Sequence, residues 1–118
     1  MHEAGIVKSV LELVEQAAVI NGISHITEIK LVIGKKRVVL PEALYLGFEA
    51  FTKDTPLYEN CKLIIDTRDI LLLCKDCGNN FNAELSVSKC SKCQSQNTEL
   101  LQGSELYVDY FEGGGDAE

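Results

Sequence analysis

Between Ala4 and Ile20 apolar residues recur at three- and four-residue steps: Ile6, Val10, Leu13, Val14, Ala17 and Ala18, with Lys8, Glu12, Glu15 and Gln16 elsewhere. That period predicts an amphipathic helix. Asn21-Gly22 follows and ends it, because this pair tolerates left-handed backbone geometry. From Ile26 to Ile33 the period shortens to two, with Ile29, Leu31 and Ile33 set against Glu28, Lys30 and Val32, and Gly34 closes this strand. Pro41-Glu42 suits a helix start, since proline in the first turn gives up no intrahelical bond. Leu44, Tyr45, Phe48 and Phe51 fall on one face of that second helix, and Asp54-Thr55-Pro56 stops it. Leu63–Asp66 and Ile70–Leu73 are β-rich and parted by Thr67-Arg68-Asp69, so they read as one bent strand or two short ones. Glu105–Phe111 alternates again as a final strand, and Gly113-Gly114-Gly115-Asp116 reads as a frayed end.

The order helix, strand, helix, strand, cysteine-bearing segment, strand predicts an α+β fold. Its economical packing is a small three-stranded sheet with two helices on one face, plus an inserted four-cysteine zinc-ribbon-like module. The strands before and after the insert are expected to lie close together, since a self-contained insert returns the chain near where it left. Residues 1–73 and 98–112 then form the α+β domain, 74–97 the inserted module and 113–118 a flexible acidic tail.

A chain of 118 residues holds one domain, with room for a small insert. Eleven Lys and Arg against eighteen Asp and Glu give a net charge of −7, which disfavours a polyphosphate partner. Five of those acids lie from Glu105 onward with no Lys or Arg among them, so the body is nearly neutral. No run of about eighteen apolar residues and no basic start before an apolar segment occurs, so neither membrane insertion nor secretion is expected. The expected compartment is the cytoplasm, where thiols stay reduced.

Cys74-Lys75-Asp76-Cys77 and Cys90-Ser91-Lys92-Cys93 are two Cys-x-x-Cys knuckles twelve residues apart. Four thiolates from two facing turns complete a tetrahedron at about 2.3 Å, the arrangement zinc favours with sulfur. Gly78 gives the permissive backbone a knuckle needs. Asn79, Asn80, Asn82, Gln94, Gln96 and Asn97 keep the insert polar, so ion binding has to supply the folding free energy that packing cannot. A closed structural site fits best: a catalytic zinc needs an open position and a general base, and a redox pair does not explain two matched knuckles. Cys61 has no spaced partner and reads as a half-buried residue beside a strand.

His2 offers a different donor set. Its imidazole, its backbone nitrogen and the α-amine of Met1 can close chelate rings on one ion, and nitrogen donors in one plane favour Ni(II) or Cu(II) over zinc. Amine and imidazole must first lose protons, so affinity falls with pH. Glu3 adds a backbone nitrogen and a carboxylate, and as a helix-start acid it also suits the helix dipole. His25 reads as an exposed residue before the first strand. The Lys35-Lys36-Arg37 run reads as a solvated turn or a dock for an acidic partner.

Met1-His2-Glu3 before an amphipathic helix, the strand ending Ile33-Gly34, Pro41-Glu42-Ala43-Leu44 with Phe48-Glu49-Ala50-Phe51, and the paired knuckles together resemble the HypA/HybF family of hydrogenase nickel-incorporation proteins, from Met1 to about Phe111. The resemblance implies a nickel metallochaperone and no enzyme. Ni(II) would be transient cargo, received with a HypB-type GTPase and inserted into the precursor of the [NiFe]-hydrogenase large subunit, and some members also serve urease. It implies His2 as principal nickel ligand, with Met1 through its amine and Glu3 as a possible third, and Cys74, Cys77, Cys90 and Cys93 as ligands of a structural Zn(II). Two departures stand out. Gly34–Leu40 lacks the acidic residue that some relatives place near nickel, and this module has no histidine. The alternatives are a zinc-stabilised interaction adaptor and a zinc-ribbon nucleic-acid binder. The second is disfavoured because the module from Cys74 to Cys93 sets only Lys75, Lys89 and Lys92 against Asp76 and Glu84, with Phe81 as its one aromatic.

Overall fold

A computed structural model describes residues 3–115. The elements run α1 (Glu3–Ile20), β1 (His25–Gly34), α2 (Pro41–Thr52), β2 (Lys62–Arg68), β3 (Ile70–Cys74), β4 (Asn80–Ala83), β5 (Thr98–Gln102) and β6 (Leu106–Gly114), with short 3-10 turns at Lys35–Arg37 and Pro56–Tyr58. The fold is α+β: two helices, a three-stranded sheet in the order β2-β1-β6, and a second three-stranded sheet in the order β4-β3-β5 that leads to the cysteines. The chain divides into two compact units. One holds the segments up to Leu31, Val39–Ile65 and from Val108; the other holds Val32–Val38 and Asp66–Tyr107.

In the first unit, α1 buries Ile6, Val7, Leu11, Val14 and Ala18, and α2 buries Leu44 and Phe48. The helix face is thus rotated from the predicted one: Leu13 is 56% exposed, while Val7 and Leu11 point inward. On α2, Tyr45 and Phe51 likewise lie outside the buried stripe. Gly47 on α2 faces Val7 of α1, where an added Cβ would sit in ordinary van der Waals contact with Val7 Cγ2 at 3.4 Å. α1 ends as predicted, with Gly22 at φ +68° and the Ile23 N–H donating to the Ala18 carbonyl. Leu40 precedes α2 in extended conformation, and its N–H donates to Glu3 Oε2 at 3.3 Å. Tyr58 meets the Phe48 ring edge-on, with centroids 6.4 Å apart, and donates its hydroxyl to Glu15 Oε2.

β6 runs antiparallel to β1: Ser24 N–H donates to the Gly114 carbonyl at one end and Gly34 N–H to the Glu105 carbonyl at the other. The strand therefore reaches Gly114, where the sequence suggested a loose end from Gly113. Gly113 is required for this approach, because a Cβ there would overlap the His25 carbonyl. His25 itself is exposed and opens β1.

The largest difference from expectation concerns the strands beside the cysteines. Residues 62–74 form two strands in different sheets, and β3 finds its partners in β4 and β5 rather than in the final strand. Leu72 stands opposite Phe81 on one side and Leu100 on the other. β5 thus returns the chain beside β3, and the segment drawn at 74–97 lies inside a wider unit made of Val32–Val38 and Asp66–Tyr107. Among the described residues no helix is long and apolar enough to cross a membrane.

Leu44 is fully buried in the first unit. Leu44→Ala is expected to lower stability by about 2–5 kcal/mol, read as a shifted denaturant midpoint of the helical circular-dichroism signal.

Candidate metal centre

Each knuckle is built by the same backbone pattern. In the first, Gly78 N–H donates to the Cys74 carbonyl at 2.8 Å and Cys74 N–H to the Asn79 carbonyl at 2.8 Å. In the second, Gln94 N–H donates to the Cys90 carbonyl at 3.0 Å and Cys90 N–H to the Ser95 carbonyl at 2.8 Å. The residue after each second cysteine is left-handed, Gly78 at φ +79° and Gln94 at φ +68°. Glycine accepts this freely, whereas glutamine does so at a steric cost, which is why only the first knuckle carries a visible backbone signature in the sequence.

These turns bring the four sulfurs within 4.8 Å of one another. Cys74 and Cys93 stand 3.5 Å apart and Cys77 and Cys90 3.6 Å apart. A regular tetrahedron with zinc–sulfur bonds of about 2.3 Å has sulfurs about 3.8 Å apart, so two of the pairs stand near the tetrahedral edge and the four-sulfur donor set fits zinc. Cys74 and Cys90 are buried, while Cys77 and Cys93 face outward.

The thiols cannot all ionise side by side, because like charges this close repel. Burial alone would push the Cys90 thiol up; the amide N–H groups of Cys93 and Lys92 outweigh it, with help from the Asn79 carboxamide, and bring it down to about 6. Cys93 goes the other way: the Ser95 amide lowers it, but the neighbouring Cys74 sulfur, burial and the other sulfurs push it up to about 12. A divalent cation among them removes this conflict by holding every sulfur as thiolate.

Asp76, inside the first knuckle, joins it to the second. Oδ2 accepts from the Ser95 hydroxyl at 2.5 Å and Oδ1 from Asn97 Nδ2 at 3.1 Å. These bonds favour the ionised carboxylate and hold it below its usual range.

Cys61 lies apart and is half-buried, as the sequence suggested. Burial first, and the nearby Glu28 carboxylate second, push its thiol up to about 11, which leaves it unreactive at neutral pH. The basic run forms the 3-10 turn, where Lys35 pairs with Asp69 at 2.6 Å and Arg37 donates to the Ser104 carbonyl at 2.7 Å. Two of its three charges therefore serve local structure. Glu3 opens α1, whereas Met1 and His2 lie outside the described residues.

A family model described as hydrogenase/urease nickel incorporation, metallochaperone, matches residues 1–113. The chain belongs to the HypA family. The hydrogenase maturation factor HypA of Moorella thermoacetica is 36% identical over 113 residues, covering 96% of this chain and 99% of that one. That of Helicobacter hepaticus is 34% identical and covers 92% of each. The solution structure of the Ni metallochaperone HypA from Helicobacter pylori superposes with a TM-score of 0.68 at 28% identity, covering 98% of this chain and all of that one. A hydrogenase nickel-incorporation metallochaperone family and a four-cysteine site that fits zinc thus meet in one chain.

Between Lys75 and Gln102 the only fully buried side chain is that of Cys90, so the second unit's outer part depends on its metal. Removing the ion with a chelator, or replacing Cys90 by Ser, is expected to abolish amide-exchange protection in β4 and β5 while α1 keeps its own.

Proposed function

We propose that this HypA-family protein binds Ni(II) at its N-terminus and helps insert it into [NiFe]-hydrogenase, acting as a carrier and not as a catalyst. His2 supplies the imidazole and its backbone nitrogen, and Met1 supplies the α-amine. Cys74, Cys77, Cys90 and Cys93 hold Zn(II) as a structural ion. The nickel-bearing part is assigned to the helical unit and the zinc to the unit of β3, β4 and β5, so that residues 98–102 go with the module drawn at 74–97, and Gly113 and Gly114 belong to β6 rather than to the acidic tail drawn at 113–118. The partners are a HypB-type GTPase and the precursor of the hydrogenase large subunit, in the cytoplasm.

The observation that carries this reading is the match of the nickel-incorporation family model from residue 1 onward, which includes Met1-His2-Glu3. The chemistry of the two donor sets supports it. Four clustered sulfurs make a closed site that would retain a metal, whereas a few nitrogen donors at a chain end make one that can release it. Cargo needs the second kind of site, because nickel has to pass down an affinity gradient to its acceptor. Glu3 joins the seat through its backbone nitrogen or its carboxylate, one oxygen of which accepts from the Leu40 N–H and so steadies the start of α1 against the start of α2. No acid stands in Gly34–Leu40 to add a further oxygen, so terminal nitrogens carry most of the affinity.

Calorimetric nickel titration tests this. His2→Ala, and separately one residue added ahead of Met1, are each expected to weaken nickel binding at least about tenfold, the equivalent of one lost donor bond of about 1.4 kcal/mol. Zinc content and the circular-dichroism spectrum should stay unchanged. Equal affinity in all three proteins would overturn the terminal site. Acid should also release nickel as the imidazole protonates below about pH 6.5.

A further inference from the structure

Twelve residues separate the two knuckles, and two side chains of the first reach across to the segment that carries the second: Asn79 to Cys90 and Ser91, and Asp76 to Ser95 and Asn97 just beyond it. We propose that Asp76 is a positioning residue for the metal: it latches the first knuckle to the second, so that the four sulfurs are held at binding distance and the ion leaves slowly.

The argument rests on where its two partners stand. Ser95 is the residue whose carbonyl receives the Cys90 N–H, and Asn97 is the one whose carbonyl receives the Lys75 N–H at 2.9 Å. The Ser95 hydroxyl also accepts from the Asn97 N–H at 3.0 Å, which fixes both partners relative to each other. Asp76 therefore grips, through side chains, the same two residues that the knuckle backbones grip through main-chain bonds. Asn79 adds a second tie from the first knuckle, its carboxamide reaching Cys90 Sγ at 3.7 Å and Ser91 Oγ at 3.3 Å.

A metal site has to bring its ligands together against chain entropy and thiolate repulsion. A carboxylate that holds both halves in register lowers that cost before the last ligand binds and opposes the opening through which the ion escapes. Supporting residues of this kind are commonly worth 10–100-fold in metal affinity. Asp76 touches none of the sulfurs with its carboxylate, so the ligand field at the metal stays the same with or without it.

This rests on the reading of the cysteines as a zinc site, and one experiment separates the two. The full chain is loaded with Zn(II), and transfer of the ion to a chromophoric chelator is timed at neutral pH; the same proteins loaded with Co(II) report the ligand set by their absorption. Asp76→Ala is expected to release zinc about tenfold faster or more, and Ser95→Ala by a smaller factor, with cobalt spectra matching the native protein. Asp76→Asn should also be faster than native, because its carboxamide keeps one acceptor oxygen where the carboxylate met two donors, Ser95 and Asn97, and the charge is gone. Combining Asp76→Asn with Asn97→Asp exchanges donor and acceptor, keeps the charge, and should restore slow release. Release within twofold of native for Asp76→Ala, no recovery in the exchanged pair, or an altered cobalt spectrum would each overturn the latch. Failure of the native chain to retain zinc or cobalt would instead overturn the zinc reading.

Discussion

Four sulfurs gathered within 4.8 Å are the constraint on which the outer part of the second unit, from Lys75 to Gln102, depends. Left to themselves they repel as thiolates, and the chain around them offers no apolar mass to hold them together. Leu85 and Val87 are exposed, and Phe81 is only half covered. Every device in the knuckles acts on this problem. Amide N–H groups aimed at Cys90 favour its ionised form, the left-handed residues after Cys77 and Cys93 turn the chain back, and the Asp76 bonds tie one turn to the other. A zinc ion bound among them would convert the repulsion into four bonds.

The first unit is stabilised in the opposite manner. Its helices and sheet bury aliphatic side chains, with Val14, Ala18, Ile26, Ile29 and Leu44 almost wholly inside, and among the described residues no buried side-chain polar atom lacks a partner. This difference has a functional consequence. A unit that folds on its apolar core needs no metal, so the nickel seat proposed for its terminus could be filled and emptied without unfolding anything. A unit whose sulfurs need an ion would have no such freedom. On the proposed function, one small chain would hold one metal for stability and another for transfer, because different physics supports each part.

Much of this was legible in the sequence. Both helices, β1, β6 and the four-cysteine cluster follow from period and spacing, since each of those segments carries either a buried stripe or a ligand repeat. The split of residues 62–74 between two sheets was not legible, because Thr67-Arg68-Asp69 looks the same as a bend and as a crossing from one sheet to another. β4 and β5 escaped for a related reason. Asn80-Phe81-Asn82-Ala83 alternates but is only four residues long and half asparagine, which is depleted in strands, and Thr98-Glu99-Leu100-Leu101-Gln102 does not alternate; their pairing to β3 supplies the order. On α1 the period was right and the phase was off by part of a turn: an apolar residue stood on every side, so the sequence could not say that Leu11, rather than Leu13, would face inward.

Asp76 shows the same limit at the site. Lys75-Asp76 between two cysteines reads as solvated filler, and nothing in the order of residues says that Ser95 and Asn97 will come to face it. Only when both turns close on one centre does the carboxylate meet a hydroxyl and a carboxamide at the same time. The bond pattern also explains why a charged residue is suited to so exposed a place. A carboxylate offers two separate acceptor oxygens to two donors at once, whereas a serine has a single oxygen and a lysine has no acceptor, and its exposure lets it stay ionised without the burial penalty a core charge would meet. Ligand spacing was enough to find the metal centre, but the side chains that hold its two halves together are visible only in three dimensions.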